Sequence, residues 1–277
     1  MKEIIFLAKP TKVICKIYPE YQAFYKDFIN KIKNICAYQT LGLSDIWVRD
    51  FLPVQNFKTG EFFSFFYEPI YKKMRYKKLY KNLREETAKY FPKAIKLPIL
   101  LDGGNFIYNK KGTGILFENK NIFKNSTCQK IINIIKQRFS LKELFLLPAL
   151  PLSEDPFCHI DGLMQFLEDD ILCVNTPYNN TTEKHLKKCL DILKNKFKIG
   201  FLPTELNLKE TLSAKGIYVN FLETSHAVFI PQYNLKSDEK AIQIIQKHTK
   251  KTIVTIDASA ISKYGGSLHC LTQNYFL

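Results

Sequence analysis

Four short segments of this 277-residue chain gather the side chains that could do chemistry. They are Trp47-Val48-Arg49-Asp50, Leu101-Asp102-Gly103-Gly104-Asn105, Cys158-His159-Ile160-Asp161-Gly162, and the run Gly265 to Gln273, which reads Gly-Gly-Ser-Leu-His-Cys-Leu-Thr-Gln. Between them they hold a thiol (Cys270), an imidazole (His159) and three carboxylates (Asp50, Asp102, Asp161), with no metal-ligand spacing. That is a nucleophile, a proton carrier and a strongly negative binding site, with no cofactor or metal expected. Such a site calls for a cation. A guanidinium presents N–H donors in a rigid planar fork, and two aspartates on opposite sides hold it by charge-assisted hydrogen bonds, leaving its central carbon to Cys270. Trp47, the single tryptophan, supplies an apolar or cation–π wall.

Taken one at a time these residues have plainer readings. A cysteine near a C-terminus is commonly a small buried hydrophobe, and Asp-Gly and Gly-Asn pairs commonly make tight turns. His269 falls on the opposite face from Cys270 if both lie on a strand, which assigns it packing or loop support. His185, His226 and His248 have no motif around them and read as surface or capping residues. Glu168-Asp169-Asp170 reads as a turn between strands.

Positioning four segments on one site requires a frame, and the apolar pattern supplies one. Tyr21, Phe24, Tyr25, Phe28, Ile32 and Ile35 recur at helical spacing after Pro19. Four similar pieces follow. One runs from about Lys77 to Tyr90, before Pro92. Another follows Ser126 or Thr127 and carries Ile131, Ile132, Ile134, Ile135 and Phe139. A third has Asn180 as its cap, three residues before Glu183, and a fourth has Ser237 as its cap before Asp238 and Glu239. Starts near 19, 77, 127, 182 and 238 step by 58, 50, 55 and 56 residues. Short β-branched or aromatic runs fill the intervals, at 4–8, 12–17, 46–48, 62–66, 99–101, 115–117, 144–147, 171–174, 217–221, 227–230 and 252–256. Three strands and one helix in each of five units predict a closed α/β ring rather than a doubly wound sheet. No Pro/Gly/Ser-rich linker divides it, so residues 1–277 are expected to form one domain.

Composition bounds the partners. With 46% hydrophobic and 24% charged residues the chain is an ordinary globular sequence. No membrane span or secretory leader is expected, because the run Ile4 to Ala8 is short and is followed by Lys9 and Pro10. Seven cysteines without a C-x-x-C pair suit a reducing cytoplasm. The formal charge of +15 attracts polyanions. Its densest run, Tyr71 to Arg84, nevertheless has Met74, Tyr76, Leu79, Tyr80 and Leu83 at near-helical spacing and reads as the wet face of an amphipathic helix, so no nucleic-acid partner is favoured. A homo-oligomer is compatible with the sequence.

The motifs resemble the guanidino-group-modifying enzymes, the five-bladed pseudo-fivefold α/β propellers (penteins) of ββαβ units. They are most similar to the agmatine deiminase and Porphyromonas-type peptidylarginine deiminase branch. A Trp-x-Arg-Asp-x-Gly-Pro motif, an acidic-Gly-Gly-Asn motif, a Gly-His-x-Asp motif, an aromatic-Asn-Phe segment and a Gly-Gly-x-x-His-Cys-x-Thr-Gln motif stand in that order. Here they are Trp47 to Pro53, Leu101 to Asn105, His159 to Asp161, Tyr218 to Phe221 and Gly265 to Gln273. The resemblance implies that Cys270 attacks a guanidinium carbon, that Asp50 and Asp161 hold its nitrogens, and that His159 protonates departing ammonia and then activates water. Asp102, where agmatine deiminases usually have Glu, would orient His159. Arg49 and Asn105 would wall the pocket, Asn220 would hydrogen-bond near the nucleophile, and Gly265 and Gly266 would join Trp47 in binding the substrate. Leu52 and Cys158 each replace a family glycine.

Two functions from different classes follow. The first is a metal-free deiminase acting on a small guanidino cation, agmatine foremost, with peptidylarginine or free arginine as alternatives. The second is a non-catalytic propeller whose basic exterior binds RNA or an acidic protein. Retention of Asp50, His159, Asp161 and Cys270 together favours the enzyme.

Overall fold

Both ends of the chain meet in one sheet. In the computed structural model, which describes residues 2–68, 77–118, 127–151, 154–206 and 212–277, β1 (Glu3–Ala8) lies between β15 (Gln273–Phe276), antiparallel to it, and β2 (Ala37–Leu41), parallel to it. Four further three-stranded sheets follow in chain order. They are β3 (Val54–Gln55), β4 (Phe62–Phe66) and β5 (Ile95–Leu100); β6 (Ile107–Tyr108), β7 (Thr113–Glu118) and β8 (Glu143–Pro148); β9 (Met164–Leu167), β10 (Ile171–Asn175) and β11 (Lys198–Leu202); and β12 (Leu222–Glu223), β13 (Ala227–Gln232) and β14 (Thr252–Asp257). In each sheet the central strand pairs antiparallel on one side and parallel on the other.

A parallel neighbour cannot be reached by a tight turn, so each of those steps is bridged by a helix. The bridging helices are α2 (Tyr21–Ile32), α4 (Lys77–Tyr90), α5 (Cys128–Arg138), α6 (Asn180–Leu193) and α7 (Asp238–Gln246). The five starts predicted from periodicity fall within two residues of these. The result is a five-bladed α/β propeller of ββαβ units, closed where the last strand completes the first blade. Each helix turns its apolar face inward: Tyr21, Phe24, Phe28 and Ile32 are buried on α2, Ile131 and Ile135 on α5, and Ala241 and Ile245 on α7.

Several local expectations are corrected. Residues 12–17 form a short helix, α1 (Lys12–Ile17), because the Thr11 hydroxyl accepts the Ile14 amide and nucleates the first turn. Six residues are too few for a helical and an alternating pattern to be told apart. Residues 46–48 lead into a single helical turn, α3 (Val48–Phe51). Residues 217–221 contain a turn rather than a strand; Tyr218, Val219 and Phe221 are fully buried, so their apolar character reflects burial and not ladder pairing. The α6 cap is Asn179 instead of Asn180, in a reciprocal box with Thr182. Ser237 does not cap α7 through its side chain, its hydroxyl being engaged with Glu205. Within the basic run, residues 71–76 lie outside the described residues, as does Ser126, while Leu83 on α4 is buried. Among the described residues no helix is long and apolar enough to cross a membrane.

Candidate active site

Asp50 is brought inward by α3, whose single turn buries Val48, Asp50 and Phe51 on one side. Leu52 closes that turn at φ −70°, ψ 151°, an ordinary extended conformation that leucine adopts without strain, and its side chain joins the core. The Asp102 segment forms a 3₁₀ turn over Gly103–Asn105 pressed against α3. A Cβ on Gly103 would stand 2.0 Å from the Arg49 carbonyl oxygen, and one on Gly104 would stand 2.7 Å from His159 Nδ1 and 2.8 Å from Asp50 Oδ1. Both glycines are therefore demanded by close approach. The Gly104 amide donates to Asp50 Oδ1 at 3.2 Å.

His159 precedes another 3₁₀ turn, Ile160–Gly162, which carries Asp161. Cys158, where the family pattern has glycine, sits at φ +53°, a left-handed conformation that costs a non-glycine residue about 1 kcal/mol. Asp155 offsets that cost: its Oδ1 accepts the backbone amides of Phe157 and Cys158, each at 3.0 Å.

Carboxylates surround the His159 ring. Nε2 is 3.1 Å from Asp102 Oδ2 and Nδ1 is 3.6 Å from Asp50 Oδ1. Burial opposes its charging, but Asp50, Asp102 and Asp161 outweigh burial and push its pKa up to about 10. Its surroundings thus favour the imidazolium at neutral pH. The shorter Asp102 thus still reaches the histidine.

Cys270 lies on a turn ahead of β15, and Asn220 determines its setting. The Asn220 Oδ1 accepts the backbone amides of Ser267 (3.0 Å) and Cys270 (3.3 Å), while Nδ2 donates to Cys270 Sγ (3.0 Å). Asp161 Oδ2 lies 3.5 Å from the same sulfur. Burial, then the charges of Asp161 and Asp50, push the thiol well above its ordinary pKa, so in the unliganded site it is protonated. Asp161 is held below the usual carboxylate range: burial acts against ionisation, but His269, first through its hydrogen bond and then electrostatically, prevails together with His159 and Arg49.

A cavity of about 370 Å³ is lined by Cys270, His159, Asp161, Asn220 and Gly265. Asp50 and Asp102 are not in its lining and meet His159 instead. Three residues expected at the pocket wall stand elsewhere. Asn105 spends its amide on the Phe117 backbone, accepting at 3.0 Å and donating at 3.2 Å. Trp47 packs edge-on to Tyr18 and against Gly266, where a Cβ would come within 2.5 Å of its ring, so both support the Cys270 turn from outside the cavity. Arg49 lines a second cavity, of about 230 Å³, that lacks Cys270.

Other residues enter that the sequence reading passed over. Glu154 and Asp155 line the Cys270 cavity, where no motif pointed to them. His269 touches Asp161, because Cys270 is on a turn and the alternation of a strand does not apply. His185, read as a surface residue, is buried on α6 and bonded to the Pro148 carbonyl. Glu205 and Glu223 are engaged with Ser237 and Lys251. Among the described residues no three His, Cys, Asp or Glu side chains are grouped to hold a metal ion.

A five-bladed α/β propeller closing over a cysteine, a charged histidine and aspartates is the architecture of the guanidino-group-modifying class. The sequence profile of the Porphyromonas-type peptidyl-arginine deiminase family matches residues 3–275, and the chain belongs to that family. The solved structure of C. jejuni agmatine deiminase superposes with a TM-score of 0.82 at 21% identity, covering 100% of this chain and 94% of that one. DDAH from Pseudomonas aeruginosa shares the fold at a TM-score of 0.62 and 12% identity, over 99% and 100% of the two chains. At these identities the likeness establishes the fold. A Shewanella putrefaciens protein named "Putative agmatine deiminase" is 24% identical over 208 residues, 64% of this chain; the match spans 56% of that relative's length.

Proposed function

We propose that this protein is a deiminase that hydrolyses a guanidinium group, with agmatine as substrate and N-carbamoylputrescine and ammonia as products. The observation that carries this reading is the convergence of Cys270, Asp161 and a charged His159 on one cavity whose described lining also holds Glu154 and Asp155 and no Lys or Arg. A guanidinium at Asp161 suits one end of that cavity. Glu154 in the same lining suits an ammonium, whereas an α-carboxylate would find no Lys or Arg among the described lining residues. The names of the C. jejuni and Shewanella relatives support the same substrate.

The steps balance. The bound cation stabilises the Cys270 thiolate that the empty site disfavours, and the displaced thiol proton passes to solvent. Asp161 holds the guanidinium nitrogens, with Asp50 adding its negative charge from beside His159, while Sγ attacks the central carbon. His159, oriented by Asp102, gives its proton to the leaving nitrogen, and ammonia departs to leave a thiouronium. The now neutral His159 takes a proton from water, hydroxide adds to the carbon, and collapse expels the thiolate and yields the ureido product. We further propose that residues 1–277 act as one catalytic domain in the cytoplasm, in keeping with the β1–β15 pairing that ties both ends into one ring and with seven free thiols.

Ammonia and ureido product are to be measured with agmatine, free arginine, an internal-arginine peptide and methylated arginine, with Cys270→Ala as control. Turnover of agmatine alone, lost in Cys270→Ala, is expected. Turnover of the peptide instead would replace the small-amine reading by the peptidylarginine one, and retained turnover in Cys270→Ala would reject the covalent mechanism.

A further inference from the structure

His269 touches the site from behind. Its Nδ1 is 2.7 Å from Asp161 Oδ2, the same oxygen that lies 3.5 Å from Cys270 Sγ. The residue lines the second cavity together with Arg49 and is absent from the lining of the Cys270 cavity. Arg49 holds this stretch of backbone twice: its Nε donates to the His269 carbonyl at 3.3 Å, and its own amide donates to the Cys270 carbonyl at 3.2 Å. The Arg49 guanidinium makes no ion pair within 4.0 Å among the described residues, so its charge is felt by its surroundings without being cancelled by a contacting carboxylate. A single oxygen of Asp161, Oδ2, thus meets both the sulfur and a buried imidazole, and Oδ1 lies toward Gly104.

We propose that His269 is a positioning residue for Asp161: Arg49 beside it favours the neutral ring, whose Nδ1–H donates to Oδ2, fixes the carboxylate's orientation and leaves Oδ1 for the guanidinium. This rests on the reading above that Asp161 binds the guanidinium. The distinction between a neutral and a charged ring decides the chemistry. An imidazolium at 2.7 Å would compete with the substrate cation for Asp161. A neutral donor orients the carboxylate and leaves its charge available.

The surroundings agree. Burial and then the Arg49 charge hold the His269 pKa down to about 4, against the pull of Asp161. The charged and titratable groups that Asp161 meets are His269, His159, Arg49, Cys270 and Asp155. Of the other acids of the site, Asp102 acts on His159, and Asp50 acts on His159 and Cys270 and faces Asp161 across Gly104. The two histidines thus have opposite surroundings: contacting carboxylates favour the charged form of His159, whereas burial and Arg49 favour the neutral form of His269.

The test begins with the wild-type protein and no substrate. Imidazole ¹⁵N shifts of His269 between pH 5 and pH 8 are expected to report a neutral ring protonated at Nδ1; an imidazolium or an Nε2–H tautomer at pH 7 would overturn the proposal. His269→Leu removes the donor, and His269→Asn retains an amide N–H. In the leucine variant KM for agmatine should rise about tenfold or more, and the acid limb of kcat/KM should move to higher pH as Asp161 loses its donor. The asparagine variant should return both toward wild type. A folded leucine variant with unchanged KM and acid limb would leave His269 a purely structural role and sink the idea. The ¹⁵N measurement reads the ring whether or not agmatine is turned over, so failure of the deiminase reading and failure of this one are separable.

Discussion

Asn220 and Cys270 are bound to each other twice: the amide oxygen takes the Cys270 N–H and the amide nitrogen reaches Sγ at 3.0 Å, while the Ser267 N–H on the same turn shares that oxygen. A side chain from the turn before β12 thereby plays the part that backbone pairing would play in a strand. Asn220→Ala leaves two buried amides unsatisfied and frees the sulfur, and each unsatisfied group costs about 1–3 kcal/mol. The expected result is a melting temperature lower by several degrees and kcat reduced about a hundredfold. Thermal melts and steady-state rates check it, and an alanine variant with wild-type kcat would deny Asn220 a place at the nucleophile.

His159 makes a prediction about pH and stability. Its folded-state pKa, pushed up to about 10 although burial opposes it, lies above the value of an unfolded histidine, 6.5. The group binds its proton more tightly when folded, so its contribution is fully present below the unfolded pKa and is lost as pH rises through about 10. The stability gap between the wild type and His159→Gln should therefore narrow from pH 7 to pH 10. Urea unfolding at several pH values measures it, and a gap that widens over that interval would show that His159 is neutral in the folded protein.

How much of this was legible beforehand differs by level. The five crossover helices were visible because each keeps an apolar face over several turns, as Tyr21, Phe24, Phe28 and Ile32 do on α2. The reacting types were visible because Cys270, His159 and the aspartates stand in dense polar clusters. What the chain did not display was direction. Trp47, Arg49 and Asn105 belong to those same clusters but support the site from outside its cavity, a matter settled by the 3₁₀ turns and the single turn of α3. Edge strands of two residues, such as β3 and β6, are too short to carry a period. Glu154 and Asp155 reach the cavity from a loop whose sequence shows no pattern at all.

The glycines of the Asp102 segment offer a test with an internal control. A Cβ on Gly103 would fall 2.0 Å from the Arg49 carbonyl oxygen, whereas one on Gly162 would meet nothing within 4 Å. Backbone cannot yield as a flexible side chain can, so Gly103→Ala should destabilise by about 1–3 kcal/mol or more and displace Asp50 from His159. Gly162→Ala should fold and turn over like wild type. Equal melting temperatures for the two variants would mean that the α3 turn and the Asp102 segment do not meet as closely as the structure has them.

Thiol chemistry tests the electrostatics of the nucleophile without any substrate. Burial and the charges of Asp161 and Asp50 keep Cys270 protonated well above its ordinary pKa, so alkylation by iodoacetamide at pH 8 should be slow at this position and accelerate steeply at higher pH. Asp161→Asn removes the nearer negative charge, 3.5 Å from the sulfur, and should speed alkylation at pH 8 about tenfold. A saturating guanidinium ligand that cannot react should likewise increase the thiolate absorbance of Cys270, because it brings a positive charge between the aspartates. The comparison separates two views of the site. If the resting cysteine is already a thiolate, alkylation will be fast in the wild type and the Asp161→Asn change will scarcely matter; if the substrate's own charge creates the thiolate, both the slow resting rate and its release by the variant follow.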